Sequence, residues 1–307
     1  MPHLTDYPQK IRLGTRGSAL ALWQAESVKA TLLAKYPDTT VEIQVIKTSG
    51  DKDLTTPLDS LPFPGYFTKE LEAALREGKI DIAVHSLKDM AARTIDPFKL
   101  AAVLPRGAVE DALVLNPKYK TVNDLPPEPF ILTGSIRRQR QLARLFPGCR
   151  TGHVRGNIKT RIRQLSEQNA DALVVAKAAL IRLAIEEQKF ITFSVDQMIP
   201  APAQGAIAIE CLAKSKSLLA LLHNIEDKIT RKAVDIERQI TALLEGGCTL
   251  PLGVHVSRRK AGLLLTVGFF PKDPQGVQII RETIHSADDI PAVIAAVTGR
   301  FHLEGAR

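Results

Sequence analysis

The sequence predicts an α/β protein: two similar α/β domains followed by a small α+β domain with a three-stranded antiparallel sheet. Three observations carry this. Strand-like apolar segments alternate with amphipathic helices through the first half of the chain. The same order of motifs begins again after "NDLPPEP", residues 123–129. From about residue 229, one long helix gives way to short strands separated by turns.

In chain order, "KIRLGT" is a short strand, and "SALALWQAESVKATLLAKYP" is a helix that Ser18 can cap and Pro37 lies beyond. In "VEIQV", Val41, Ile43 and Val45 alternate with Glu42 and Gln44, which marks a half-buried strand. Phe67, Leu71 and Leu75 repeat at helical spacing and the helix stops at Gly78. "IDIAVHSLKD" is a strand leading into a polar loop, so the rhythm predicts a mostly parallel sheet covered by helices. The segment from about Pro105 to Lys120 reads as a crossover. "FILTGSIRRQRQLARLFPG" then echoes "RLGTRGSALALWQA", with Ser135 in the capping place. "NIKTRIRQLSEQNADALVVAKAALIRL" echoes "FTKELEAALREGKIDIAVHSLKDM". Ligands of such sheets bind beyond the carboxyl ends of the strands, here in a cleft between facing domains. In the last part, Ile229, Ala233, Ile236, Ile240 and Leu243 mark one face of a helix closed by Gly246 and Gly247. "GVHVS", "GLLLTVGFF" and "GVQIIRETI" follow as strands, with turns at 258–262 and 271–276, before a helix near 290–300.

Composition narrows the chemistry. With 307 residues and 45% hydrophobic content, the chain can build two or three cores. No apolar leader opens the sequence and no 18-residue apolar run occurs, so a cytoplasmic protein with no membrane partner is expected. Cys149, Cys211 and Cys248 are too few and too far apart for a disulfide framework or a zinc site, and no metal is expected. The net charge of +8 calls for an anionic partner. Aromatics make up only 5%, and the arginines lie in separate motifs rather than along one stripe, which argues against nucleic acid.

The arginines cluster where strands pass into helices: Arg16 in "GTRGS", Arg137 and Arg138 in "TGSIRR", Arg155 and Arg161 in "HVRGNIKTR", and Arg182 in "LIRL". A helix start directs free N–H groups and the positive dipole end to one place, and a guanidinium fork adds a bidentate partner for carboxylate or phosphate. Each arginine alone could be a solvated surface charge, whereas the set implies a ligand with many acidic groups. Lys88 and Asp89 follow a strand, where a carboxylate can stabilise a developing cation or exchange a proton; the bland alternative is a surface ion pair. His85 reads as a satisfied structural histidine. Cys248, in "LLEGGCTLPLG", sits on a glycine-rich loop suited to a covalent nucleophile or an attachment point.

Taken in order, "GTRGSALALWQA", "FTKELEAAL", "DIAVHSLKD", "GSIRRQRQL", "RGNIKTR", "AQGAIAIE" and "ERQITALLEGGCTLPLG" resemble the porphobilinogen deaminase (hydroxymethylbilane synthase) family over nearly the whole chain. The resemblance implies two domains like periplasmic binding proteins facing a cleft, and a third domain. Their bounds would be 1–104 with 206–222, 105–205, and 223–307. It implies a dipyrromethane cofactor held by thioether to Cys248. The implied reaction joins four porphobilinogens head to tail on that primer, each losing ammonia through an electron-deficient azafulvene, and releases hydroxymethylbilane by hydrolysis for heme biosynthesis. Asp89 matches the catalytic carboxylate. Lys88, Asp89, Thr133, Ser135, Arg137, Arg138 and Arg161 would hold the cofactor, and Arg16, Ser18, Arg155, Arg182 and Gln204 the substrate. A monomer is implied, as is a transient contact with uroporphyrinogen-III synthase. The sequence departs from the family pattern at Pro64, Leu132, Lys177, Ala179 and Ala203, which add bulk or remove backbone freedom. The competing readings are a non-catalytic polyanion binder on the two-lobed plan, which leaves Asp89 and Cys248 unexplained, and a degenerate paralogue.

Overall fold

A computed structural model describes residues 7–49, 68–185, 190–244 and 250–301. The chain divides into two compact units: Met1–Leu54, Pro64–Gly107 and Gly205–Lys232 in one, and Thr55–Phe63, Ala108–Gln204 and Ala233–Arg307 in the other. No helix among the described residues is long and apolar enough to cross a membrane.

The first unit is built on a five-stranded sheet ordered β2-β1-β3-β10-β4, from β1 (Lys10–Thr15), β2 (Thr40–Val45), β3 (Ile82–Ser86), β4 (Phe98–Val103) and β10 (Ile207–Leu212). β1 is parallel to β2 and β3, whereas β10 runs antiparallel to both β3 and β4. On one face, Ile11, Leu13, Ile82, Val84, Ile207 and Ile209 pack against Ala25, Val28 and Leu32 of helix α1 (Ala19–Lys35) and Leu218, Leu221 and Leu222 of α6 (Lys216–His223). On the other, Ala83 and Ile80 meet Leu71, Ala74 and Leu75 of α2 (Lys69–Arg76). Gly14 permits that approach: a Cβ there would lie 2.3 Å from Ile80 Cδ1. Phe67, the first residue of the expected α2 face, lies outside the described residues.

The second unit repeats the plan. Its sheet is ordered β7-β6-β8-β5-β9, from β5 (Asp111–Leu115), β6 (Phe130–Leu132), β7 (Arg150–Gly152), β8 (Ala172–Ala176) and β9 (Phe190–Thr192). β6 is parallel to β7 and β8, and β5 is antiparallel to β8 and β9, so β5 takes the place that β10 holds in the first sheet. Helix α3 (Ile136–Leu145) covers one face through Leu142. Helix α4 (Ile158–Glu167) covers the other through Leu165, and α5 (Lys177–Arg182) continues directly from β8. The crossover expected from Pro105 to Lys120 therefore contains a strand. All five residues of β5 are buried, and an unbroken buried run carries no alternation to reveal it.

The antiparallel sheet β11 (Leu252–Arg259), β12 (Gly262–Phe269) and β13 (Gln278–Ile284) belongs to the same compact unit. Its apolar face is closed by α7 (Lys228–Leu243) and α8 (Ile290–Arg300). The buried stripe of α7 is Ala233, Ile236 and Ile240, continued by Leu244. Ile229 and Leu243, expected on that face, are exposed. Counting 3.6 residues on from Ile240 reaches 244 rather than 243.

Candidate functional site

In the first unit, the site residues lie at the carboxyl ends of two adjacent parallel strands, β1 and β3. After β1, Ser18 caps α1 by accepting a hydrogen bond from Ala21 N (3.2 Å), and buried Thr15 donates to Ala21 O (3.1 Å); Arg16 lies between them. After β3, a single 3-10 turn, Leu87–Asp89, carries Lys88 and Asp89, both half-buried. That turn is fixed by its neighbours. His85 Nε2 meets Glu210 Oε2 at 3.0 Å in the sheet interior, Gln24 Nε2 donates to Ser86 Oγ (2.9 Å), and Leu87 N donates to Ala206 O (3.1 Å). His85 is thus the satisfied structural histidine that the sequence suggests.

In the second unit, Thr133 and Ser135 occupy the corresponding loop between β6 and α3, with Ser135 N donating to Thr133 Oγ1 (3.3 Å). Ser135 takes the N-cap position of α3, although its side chain makes no cap bond. Arg137 and Arg138, in the first turn of α3, are 4% and 6% exposed and share Asp111, which is fully buried. Arg137 donates from Nη2 to Asp111 Oδ2 (2.7 Å) and from Nη1 to Ile199 O (2.7 Å). Arg138 donates from Nε (3.1 Å) and Nη2 (2.7 Å) to Asp111 Oδ1 and from Nη1 to Val174 O (3.2 Å). Gln204, also fully buried, donates from Nε2 to Asp111 Oδ1 (2.9 Å) and Val109 O (2.7 Å). Arg155 precedes Gly156, whose φ of +94° turns the chain into the Asn157 cap of α4; Arg161 Nε donates to Gly156 O (2.8 Å). Arg182 ends α5, and burial pushes its guanidinium below the ordinary arginine range.

Residues not anticipated from the sequence complete this frame. Asp111 opens β5, and a charged residue heading a wholly apolar run was the signal that could have found it. Glu237 on α7, also buried, accepts from Ala203 N (2.6 Å) and Val256 N (2.8 Å). Ala203 has a φ of +59°, a conformation that costs a non-glycine residue about 1 kcal/mol. Its N–H bond to Glu237 helps hold it there. Cys248 and Pro64 lie outside the described residues.

Electrostatically, the cluster at Asp111 is unbalanced: one carboxylate faces two guanidinium groups in a buried setting. Burial pushes the Asp111 carboxyl up, but Arg137 and Arg138 together outweigh it and hold the group well below the usual carboxylate range. Arg137 Nε is buried and has no hydrogen-bond partner among the described residues. A surplus of buried positive charge and an unsatisfied donor fit an additional carboxylate, the group that a dipyrromethane bears.

Each of the two units contains an α/β sheet of one topology with arginines beyond its strands, an arrangement suited to acidic groups. The family model described as "Porphobilinogen deaminase, dipyromethane cofactor binding domain" matches residues 11–220. Among relatives, the porphobilinogen deaminase of Thiobacillus denitrificans is 37% identical, covering 97% of this chain and 96% of its own. That of Campylobacter hominis is 40% identical over 89% and 88%, and that of Acidithiobacillus ferrooxidans 36% over 97% and 96%. The chain belongs to the porphobilinogen deaminase family. Its activity is the joining of four porphobilinogens, with loss of ammonia and dipyrromethane as cofactor, into hydroxymethylbilane for tetrapyrrole synthesis. None of these matches supports the non-catalytic binder.

Proposed function

We propose that this chain carries out that reaction with Asp89 as its catalytic carboxylate and Cys248 as the thioether anchor of the dipyrromethane. The observation that supports an acid-rich cofactor is the buried cluster at Asp111, where two guanidinium groups outnumber one carboxylate and Arg137 Nε has no acceptor among the described residues; Asp89 and Cys248 are assigned from the positions they match in the family. When bound, the dipyrromethane supplies the pyrrole carbon to which the first porphobilinogen is joined. Lys88, Thr133, Ser135, Arg137 and Arg161 engage its acids, with Arg138 in the buried cluster behind them and Asp89 facing its pyrrole N–H groups. Arg16, Ser18, Arg155 and Arg182 serve the incoming porphobilinogen, whose acetate and propionate suit guanidinium forks, while Gln204, fully buried, braces Asp111 instead of the substrate assigned to it from the sequence. Asp89 accepts pyrrole N–H hydrogen bonds and stabilises the positive charge that grows on the substrate as its ammonia leaves. The turn that bears it is tied down by Gln24, Glu210 and Ala206, so its position is set before substrate arrives.

The same reading places the enzyme in the cytoplasm as a monomer of three domains, 1–104 with 206–222, 105–205, and 223–307, able to pass its product to a uroporphyrinogen-III synthase. Intact mass of the purified protein beside a Cys248→Ala variant tests the anchor. The wild type should carry an addition equal to two linked pyrrole units and the variant none. A bare wild-type mass after incubation with porphobilinogen would remove the assignment.

A further inference from the structure

We propose that the neighbouring Arg137 and Arg138 have separate jobs: Arg137 meets an acid of the dipyrromethane, whereas Arg138 and Asp111 form a buried frame that positions it. The inference rests on the cofactor reading above and divides a pair that the family resemblance treats alike.

The division follows from where each nitrogen's hydrogen bonds go. All three guanidinium nitrogens of Arg138 are engaged inside the protein, Nε and Nη2 by Asp111 Oδ1 and Nη1 by Val174 O. Arg137 is held only at its two ends, Nη2 by Asp111 Oδ2 and Nη1 by Ile199 O. Because the guanidinium is planar, those two anchors fix the direction of the remaining Nε–H, which is buried without a partner among the described residues. Ile199 is in turn fixed by Gln141, which accepts from Ile199 N (2.7 Å) and donates to Ile199 O (3.0 Å). Asp111 does not supply the missing acceptor: Oδ1 takes Arg138 and Gln204, Oδ2 takes Arg137 Nη2, and neither oxygen bonds Arg137 Nε. Charge points the same way. Asp111 pairs with Arg137 and Arg138 at 2.7 Å each, so one positive charge of the two remains for a ligand carboxylate, and the unpartnered Nε–H directs it through Arg137. Asp111 and Arg138 are therefore positioning residues, and a lysine can replace Arg138 as a point charge but cannot replace the Nε–H of Arg137.

The test follows covalent loading of the full chain, produced without porphobilinogen and then incubated with it, by intact mass against time. R137K and R138K keep the same net charge; R137K should load at least about tenfold more slowly than wild type, and R138K within about threefold of it. In a second pair, D111N/R138Q should load about tenfold faster than D111N/R137Q, since only the former keeps the ligand-facing guanidinium. Equal rates within each pair, or the reverse order, would overturn the division of labour. Melting temperatures accompany each variant, and should a double variant fail to fold, the lysine pair decides. If the wild type itself gains no addition, the cofactor reading fails and takes this inference with it; wild-type loading with equal variants sinks the inference alone.

Discussion

Asp89 stands on a single 3-10 turn, too short to hold itself in place, and owes its position to buried contacts behind it. Asp89→Asn preserves that shape and removes the charge, so turnover should fall by about 10²–10³-fold while the covalent pyrrole addition persists in the mass spectrum. Near-normal bilane production by the variant would end its catalytic assignment. Asp111 makes a pH prediction. Its folded-state carboxyl lies below the usual range, so the stability it contributes is present above the unfolded value of about 3.9 and lost as pH falls through the depressed folded value. Denaturant midpoints of the wild type should drop below about pH 4 more steeply than those of Asp111→Asn, and identical slopes would refute this. At this scale, the sequence exposes residues that follow a strand end, such as Asp89, Arg16 and Arg155, whereas Arg182, expected there, ends helix α5. It hides Asp111, Glu210 and Gln24, because their partners are 62 to 125 positions away for the two pairs that brace the Asp89 turn and up to 93 for Asp111.

Helices and strands were legible where one face is wet. The alternation in β2, β11 and β13 stands out because polar residues interrupt the apolar ones. β5 and the buried course of β4 give no such contrast, and β7 and β9, three residues each, are too short to carry a period. Hydrophobicity places Ile229 and Leu243 on the α7 stripe because it cannot say which apolar residue a neighbour covers. At the end of α5, Ala184 adopts φ +48°, and Ile185 N closes back to Leu180 O (3.0 Å), the pattern in which glycine is favoured. Ala184 is exposed, so Ala184→Gly loses little packing and should raise unfolding free energy by about 0.5–1 kcal/mol. An unchanged or lower denaturant midpoint would show that the turn is not strained.

Over the whole molecule, one sheet order occurs twice, β2-β1-β3-β10-β4 and β7-β6-β8-β5-β9, and the arginine loops follow corresponding strands in each. The weak echo between the sequence halves was a true sign of this, although the single antiparallel strand in each sheet left no trace in it. A net charge of +8 gives the enzyme a long-range attraction for a dicarboxylate substrate. Raising ionic strength from about 0.01 to about 0.5 M shortens the Debye length from about 30 Å to under about 8 Å and should lower kcat/KM for porphobilinogen by at least about threefold. A salt-independent kcat/KM would count against electrostatic capture.

The placement of β10 between β3 and β4 also orders events on the ribosome. Until residues 207–212 emerge, β4 lacks the strand that separates it from β3, so the first sheet cannot close when its own amino-terminal residues appear. The strands of the second sheet all lie between 111 and 192 and are available earlier. The part made first must therefore wait for the part made second, and a nascent chain paused short of residue 207 presents an open strand edge to whatever lies nearby.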